Sequence, residues 1–122
     1  TYRNCIESTF TSEGDLITIV GTVTEEGKMR IVSVGGYWID FVPKGAVLLF
    51  SNHDRPGVIG RVGSLLGCAG VNIANFALGR SNDSGRALGA LEMDSGVPSE
   101  VVDALRQDAD LLWSACIDFE SR

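Results

Sequence analysis

The chain has 122 residues, of which 44% are hydrophobic and 21% are charged. This length accommodates one domain, or a small domain with part of another, and it excludes a large enzyme. Sixteen Asp and Glu against ten Lys and Arg give a net charge of −6, which argues against nucleic acid or an anionic membrane as a partner. The longest uncharged apolar run, Gly45 to Phe50, is far too short to cross a bilayer.

The first forty or so residues predict an antiparallel β meander. Strand-forming residues and intervening turns place its four strands at Arg3–Thr11, Leu16–Thr24, Lys28–Val34 and Tyr37–Val42. The Gly35-Gly36 pair suits a two-residue hairpin because glycine accepts positive φ angles. A meander without a helix leaves one face uncovered, so we expect segments beyond this chain to cover it. Since the sequence opens at Thr1 in a strand-like pattern, we also expect it to be part of a longer chain.

Pro43-Lys44-Gly45 marks a predicted boundary, after which the pattern changes. The run Ala46 to Phe50 predicts a central strand, and a polar turn ending in Pro56 predicts the start of a helix. Gly70 stands where a left-handed residue would end that helix. Apolar residues at three- and four-residue steps give the helix a buried stripe, made of Val58, Ile59, Val62, Leu65, Leu66 and Ala69. Its other side is nearly bare of side chains at Gly60, Gly63 and Gly67, so we expect another surface to pack close there.

The remaining residues complete an alternation of strands and helices. Val71–Gly79 and Arg86–Asp94 predict a hairpin around the polar turn Ser81–Gly85. Pro98 opens a second helix, and Leu111–Phe119 alternates as a last strand. The order βαββαβ predicts an α+β, ferredoxin-like domain, with two helices on one face of a four-stranded antiparallel sheet.

The turn and first helix carry a recognisable pattern. Asn52 to Gly60, which contains Asp-Arg-Pro-Gly, is followed by Leu65 to Gly67 and by Gly70 to Ala74, and this resembles the beginning of an ACT domain. The stretch from Gly35 to Pro43 resembles the junction between the intervening, or allosteric substrate binding, domain and the ACT domain of the long D-3-phosphoglycerate dehydrogenases. The resemblance therefore divides the chain into residues 1–43, a partial β-rich intervening domain, and residues 44–122, an ACT regulatory domain.

This resemblance implies a regulatory part of an enzyme that oxidises 3-phosphoglycerate with NAD and is inhibited by L-serine bound between paired ACT domains. The sequence contains no GxGxxG after a strand, so we expect no cofactor and no catalytic residue in this chain. The expected partners are L-serine and another ACT domain, as a homodimer or a larger homo-oligomer. Two alternatives stay open: the ACT region of an L-serine dehydratase, and an oligomerisation module that binds no ligand.

The turn before the first helix offers the candidate site. Asp54 suits either an N-cap or a partner for the ammonium group of an amino acid, and Arg55 is more simply a surface ion pair. Pro56 presets φ for the first turn of the helix. Gly57 lets a ligand approach the backbone amides at the helix N-terminus, where free N–H groups favour an anion. The predicted effector-binding residues are Asn52, Asp54, Arg55, Pro56, Gly57, Val58 and Asn72.

Two asparagines flank this helix in sequence. Asn72 can orient an amino acid across an interface, as the matching residue of the family does, or it can cap the turn after Gly70. Asn52 stands where some family members have His or Tyr, a departure that bears on the identity of the ligand. His53 is a lone histidine without a positioned carboxylate or nucleophile, so we expect it to face solvent without a catalytic role.

The cysteines indicate the compartment. Cys5, Cys68 and Cys116 are scattered without CxxC spacing, which favours reduced thiols in the cytoplasm over a disulfide framework. A single histidine without a ligand at the right spacing predicts no metal site.

Overall fold

The computed structural model describes residues 6–12, 15–80 and 85–119. Eight strands and two helices follow one another as β1 (Ile6–Ser12), β2 (Asp15–Val23), β3 (Met29–Val34), β4 (Tyr37–Phe41), β5 (Ala46–His53), α1 (Val58–Cys68), β6 (Ile73–Arg80), β7 (Arg86–Met93), α2 (Ser99–Arg106) and β8 (Leu111–Asp118). Each predicted strand and helix has a counterpart, and the ends that can be compared agree or differ by up to three residues. Residues 3–5 of the first predicted strand and residues 81–84 of the predicted turn lie outside the described residues. Within the described residues, neither helix is long and apolar enough to cross a membrane.

All eight strands form one antiparallel sheet in the order β1-β2-β3-β4-β6-β7-β5-β8. The second half, β6-β7-β5-β8 with its two helices, is the predicted ferredoxin-like unit. The sheet does not stop after those four strands, because β4 meets β6 where Trp38 pairs with Arg80. The meander therefore continues the sheet across Pro43, and the division into two domains at that residue stays a prediction.

The helices cover one face of this sheet. Leu48 and Phe50 of β5 pack with one side of each helix, in a cluster that includes Val58, Val62, Leu66, Val101 and Leu105. A side chain on Gly89 would collide with the Phe50 ring, so the ring occupies space that is free because residue 89 is a glycine. The predicted stripe of α1 is confirmed at its centre and wrong at its margins, because Ile59 and Ala69 are exposed.

The end of α1 is set by backbone hydrogen bonds. Gly70 has the predicted left-handed conformation, with φ of 77°. Its N–H donates to the Gly67 carbonyl at 3.0 Å, and the Val71 N–H donates to the Leu66 carbonyl at 2.9 Å. These two bonds form a Schellman motif, which satisfies carbonyls that the helix leaves without a partner.

The meander covers the opposite face of the sheet. Val47 and Leu49 of β5 share a second cluster with residues of β2, β3 and β4, including Ile17, Ile19, Ile31, Val34 and Ile39. Strand β1 also contacts β8, so the sheet curls until its ends approach each other. Our expectation that segments beyond the chain cover the meander is wrong for this face, since the second half of the chain covers it. Trp113 and Phe119 are partly buried here, whereas Trp38 is 55% exposed.

A buried hydrogen bond joins the two halves of the chain. The Tyr37 hydroxyl of β4 lies 2.5 Å from the Ser51 hydroxyl of β5, and both residues are buried. A polar group in an apolar interior is costly without a partner, so this bond favours one arrangement of the two halves.

Replacing Tyr37 with Phe removes this bond and leaves the Ser51 hydroxyl without it. We expect Tyr37→Phe to lower the free energy of unfolding by about 1–2 kcal/mol, measured by urea denaturation. The double variant Tyr37→Phe/Ser51→Ala removes both hydroxyls and should recover part of the loss. A Tyr37→Phe protein as stable as the wild type would contradict this role.

Candidate functional site

The loop from Asp54 to Gly57 carries the chain from β5 into α1. The Asp54 N–H donates to the Gly85 carbonyl at 2.8 Å, which holds the start of the loop against the beginning of β7. The N-cap residue is Gly57, with φ of 91°, and no side chain caps the helix. The predicted N-cap role of Asp54 is therefore wrong, and Pro56 precedes the helix instead of opening its first turn. The chain turns into α1 at Gly57, so Asp54 lies three residues before the cap position.

The first turn of α1 is open to an anion. It contains no acidic residue, and the Arg61 N–H makes a backbone bond to the Gly57 carbonyl at 2.9 Å. The amides before Arg61 belong to the part of a helix that has no backbone acceptor of its own. Together with the helix dipole, these amides favour a carboxylate or another anion at this position.

Asp54 makes an ion pair that the sequence pattern did not indicate. Its Oδ2 atom lies 2.8 Å from Nη1 of Arg80, the last residue of β6. Both side chains are largely accessible to solvent, with 42% of the Asp54 side chain and 74% of the Arg80 side chain exposed. The pair therefore places the Asp54 carboxylate beside the end of β6.

A second set of ion pairs lies at the start of α1. Arg55 contacts Asp110 at 3.2 Å, which confirms the predicted surface pair. Arg61 donates twice to Asp108, at 3.0 and 3.2 Å, and once to Asp110 at 2.8 Å. The two aspartates, which lie between α2 and β8, accept all of these hydrogen bonds. No local pattern predicts this network, because the partners stand 47 to 55 positions apart in the sequence.

This network changes the acidity of Asp108. The Arg61 guanidinium, and after it the Asp110 backbone N–H, donate hydrogen bonds to the carboxylate and hold the pKa of Asp108 below its ordinary value of 3.8. The same contacts raise the pKa of Arg61. The loop between α2 and β8 is thereby tied to α1 by charges that stay ionised at neutral pH.

Asn52 lies at the end of β5, directly before the loop. Only 4% of the residue is exposed, and its Nδ2 donates to the His53 carbonyl at 2.8 Å. Its Oδ1 atom is buried and has no hydrogen-bond partner among the described residues. His53 is half-buried, which corrects the expectation that it faces solvent. Oδ1 of Asn52 is therefore a buried acceptor at the end of β5, close in sequence to the loop.

Asn72 lies at the other end of α1. Its Nδ2 donates to Oδ2 of Asp94 at 2.6 Å, so its side chain bridges to the end of β7. The 11 residues of α1 separate Asn72 from the Asp54 loop by about 16 Å of helix. One chain therefore brings Asn52, Asp54, Arg55, Pro56, Gly57 and Val58 together and leaves Asn72 apart.

A groove runs along the glycine side of α1. It has a volume of about 620 Å³, and its lining includes Gly57, Gly60, Ser64 and Cys68. A Cβ added at Gly60, Gly63 or Gly67 would meet no atom of the described residues within 4 Å apart from the helix's own backbone, so those residues leave this side of the helix open. A smaller cavity of about 220 Å³ lies between β4 and β6, near Arg30 and Asp40, and contains none of the predicted site residues.

The groups around the start of α1 are carboxylates, guanidinium groups, amides and backbone N–H groups. Cys68 and Cys116 are free and exposed, and Cys5 lies outside the described residues. Within the described ranges there is no group of three or more His, Cys, Asp or Glu placed to hold a metal ion. Among the described residues, the groups of this site can contact a ligand through charge and hydrogen bonds.

Comparison with known proteins agrees with this architecture. A family model described as ACT domain matches residues 46–110, which is more than half of the chain. A D-3-phosphoglycerate dehydrogenase of Methanocaldococcus jannaschii is 37% identical over 106 residues, covering 87% of this chain and 20% of that protein. The enzyme of the same name from Bacillus subtilis is 34% identical over 117 residues, covering 96% and 22%. The chain thus spans about a fifth of the length of these relatives.

The Arg61–Asp108 contact predicts a pH-dependent contribution to stability. Because the pKa of Asp108 is lowered in the folded protein, the contribution is fully present above the ordinary pKa of 3.8 and is lost as the pH falls through the lower folded value. We expect Arg61→Met to be less stable than the wild type at pH 7, with the difference shrinking below about pH 4. Urea denaturation between pH 2 and pH 7 measures it.

Lys28→Met removes a cation from the exposed β2–β3 turn and serves as the control. Its difference from the wild type should not follow the titration of Asp108. A deficit of Arg61→Met that is constant over the whole pH range would contradict the role assigned to this ion pair.

Proposed function

This chain belongs to the ACT domain family, and from that premise we propose that it is a regulatory module that binds a small amino acid, L-serine, between two copies of itself. ACT domains generally bind amino acids and dimerise. The effector-binding residues in this proposal are those of the β5–α1 loop together with Asn72. Binding then acts on the population of quaternary arrangements, without touching a reaction directly.

The observation that carries the proposal is the separation of Asp54 from Asn72 by the length of α1. An amino acid as small as serine cannot reach both side chains of one chain across about 16 Å. A two-fold axis near the middle of α1 and β6 reverses both elements in the second copy. It places Asn72 of that copy beside the end of β6 where Arg80 holds Asp54.

The surface along this axis suits a second copy. The glycine side of α1 allows another helix to approach closely, because Gly60, Gly63 and Gly67 add no side chains there. Phe76 and Leu78 of β6 are 57% and 53% exposed. Covering these apolar side chains favours association, and the resulting interface encloses the two ends of α1 from both copies.

Each group of the site has a task in this proposal. The carboxylate of Asp54 takes the ammonium group of the amino acid, and the open amides at the start of α1 take its carboxylate. Asn72 of the second copy orients the ligand by donating and accepting hydrogen bonds. The buried Oδ1 of Asn52 has no hydrogen-bond partner among the described residues, and a hydroxyl donor of the ligand would satisfy it.

The relatives extend the proposal to a parent enzyme. Their shared name supports a regulatory role in a D-3-phosphoglycerate dehydrogenase, with feedback inhibition of serine synthesis in the cytoplasm. NAD and the catalytic residues then belong to regions that this chain does not contain, and Pro43 separates the intervening domain from the ACT domain. The names favour this parent over an L-serine dehydratase.

The proposal is tested by titrating the chain with L-serine in a calorimeter. We expect saturable binding by the wild type and its loss in Asn72→Ala, with Asn75→Ala, in the adjoining strand β6, as the matched control. Serine binding that is unchanged in Asn72→Ala would contradict the shared site. Dimers that bind no serine would instead show an oligomerisation module.

Mixing two inactive variants tests whether the site is shared between copies. Asp54→Asn and Asn72→Ala should each bind no serine alone, because each lacks one side of every site. In a hybrid dimer one site receives Asp54 from one copy and Asn72 from the other, so an equimolar mixture should regain about a quarter of the sites. A mixture that regains none, although it forms hybrid dimers, would show that both residues act within one chain.

A further inference from the structure

The ion pair between Asp54 and Arg80 occupies the carboxylate that the proposed function assigns to the ligand. Oδ2 of Asp54 accepts a hydrogen bond from Nη1 of Arg80 at 2.8 Å. A guanidinium and an ammonium group are both cations that seek carboxylate oxygens, and they repel each other when they share one. An amino acid that reaches Asp54 therefore meets a cation that already belongs to the protein.

The pair is weak enough to yield to a ligand. Its side chains are 42% and 74% exposed, and exposed ion pairs contribute little because water screens them. Arg80 thus lowers the affinity for an ammonium group without closing the site. The pairs of Arg61 are less easily exchanged, because Arg61 holds Asp108 through two hydrogen bonds and Asp110 through a third.

Arg80 is also the residue at which the two halves of the sheet meet. Its register partner is Trp38 of β4, the residue pair that joins the strands in the described part of the chain. The neighbouring Gly79 is packed so closely that an added Cβ would lie 2.5 Å from the Trp38 carbonyl oxygen. A change at Arg80 therefore acts where the meander is attached.

We propose that Arg80 is an internal competitor for the ammonium group of the effector, and that its release from Asp54 loosens the β4–β6 junction. This inference rests on the proposed function, since it assigns the ammonium group to Asp54. The competition gives the site two states. In the first state, Arg80 pairs with Asp54 and the β4–β6 junction is closed. In the second state, the ligand pairs with Asp54, Arg80 is released and the β4–β6 junction is looser.

The competition is tested by measuring the dissociation constant for L-serine in Arg80→Gln and Arg80→Lys. The glutamine variant removes the competing charge, so we expect it to bind serine about two- to fivefold more tightly, the range that corresponds to the loss of an exposed ion pair. The lysine variant keeps the charge and should stay close to the wild type. Arg30→Gln is the matched control, because Arg30 makes an exposed pair with Asp40 at 2.7 Å outside the proposed site.

The outcomes separate the two proposals. If the wild type binds serine and Arg80→Gln binds it equally or more weakly, Arg80 is not a competitor and the proposed function stands alone. An equal gain in Arg80→Lys or Arg30→Gln would also overturn the competition, because the gain would not depend on the charge at position 80. If no variant binds serine, the proposed function itself fails, and this inference fails with it.

Amide hydrogen exchange tests the release of the junction. We expect the β4 peptide around Trp38 to exchange faster when serine is bound, and to exchange faster in Arg80→Gln even without serine. The β5–β8 ladder, whose register contains no partner of Arg80, is the internal reference. Serine-saturated wild type with unchanged exchange in β4 would overturn the coupling.

Discussion

Strand β5 is apolar on both faces, and the need to cover both shapes the whole molecule. Leu48 and Phe50 face the helices, while Val47 and Leu49 face the meander. Because a sheet with two apolar faces requires a layer on each side, strands β1 to β4 curl over the side that α1 and α2 leave open. The loop that follows β5 is consequently held by a strand fixed from both sides, which keeps its polar groups in a defined place.

Local features of this fold follow from the sequence, whereas the distant contacts do not. The glycines at Gly35 and Gly70 have the positive φ angles that their turns require, with φ of 56° and 77°. Both are set by a few neighbouring residues. The curl of the meander and the pairing of Asp54 with Arg80 depend on contacts across the sheet, and hydrophobic periodicity does not encode them. A carboxylate in a turn suits a helix cap and a distant guanidinium equally well, which is why the N-cap expectation for Asp54 was wrong.

The start of α1 is electrically balanced although the chain is acidic. Three arginines lie there with three aspartates, as the ion pairs of Asp54, Asp108 and Asp110 show. An ion with one charge would unbalance such a cluster. A zwitterion brings one charge of each sign and leaves the sum unchanged, so the cluster suits an amino acid better than a simple cation or anion.

In the proposed dimer, the bare side of α1 links the local stability of this helix to protein concentration. Glycine inside a helix costs about 1 kcal/mol relative to alanine, and α1 contains Gly60, Gly63 and Gly67. Among the described residues of one chain nothing lies against these glycines, so α1 is expected to open more readily than the sheet beneath it. A second copy that covers the glycines binds the closed helix in preference to the open one. By mass action, dilution of such a dimer then frays α1 at concentrations at which the domain is still folded. The folded fraction of α1 therefore depends on the fraction of the protein that is dimeric.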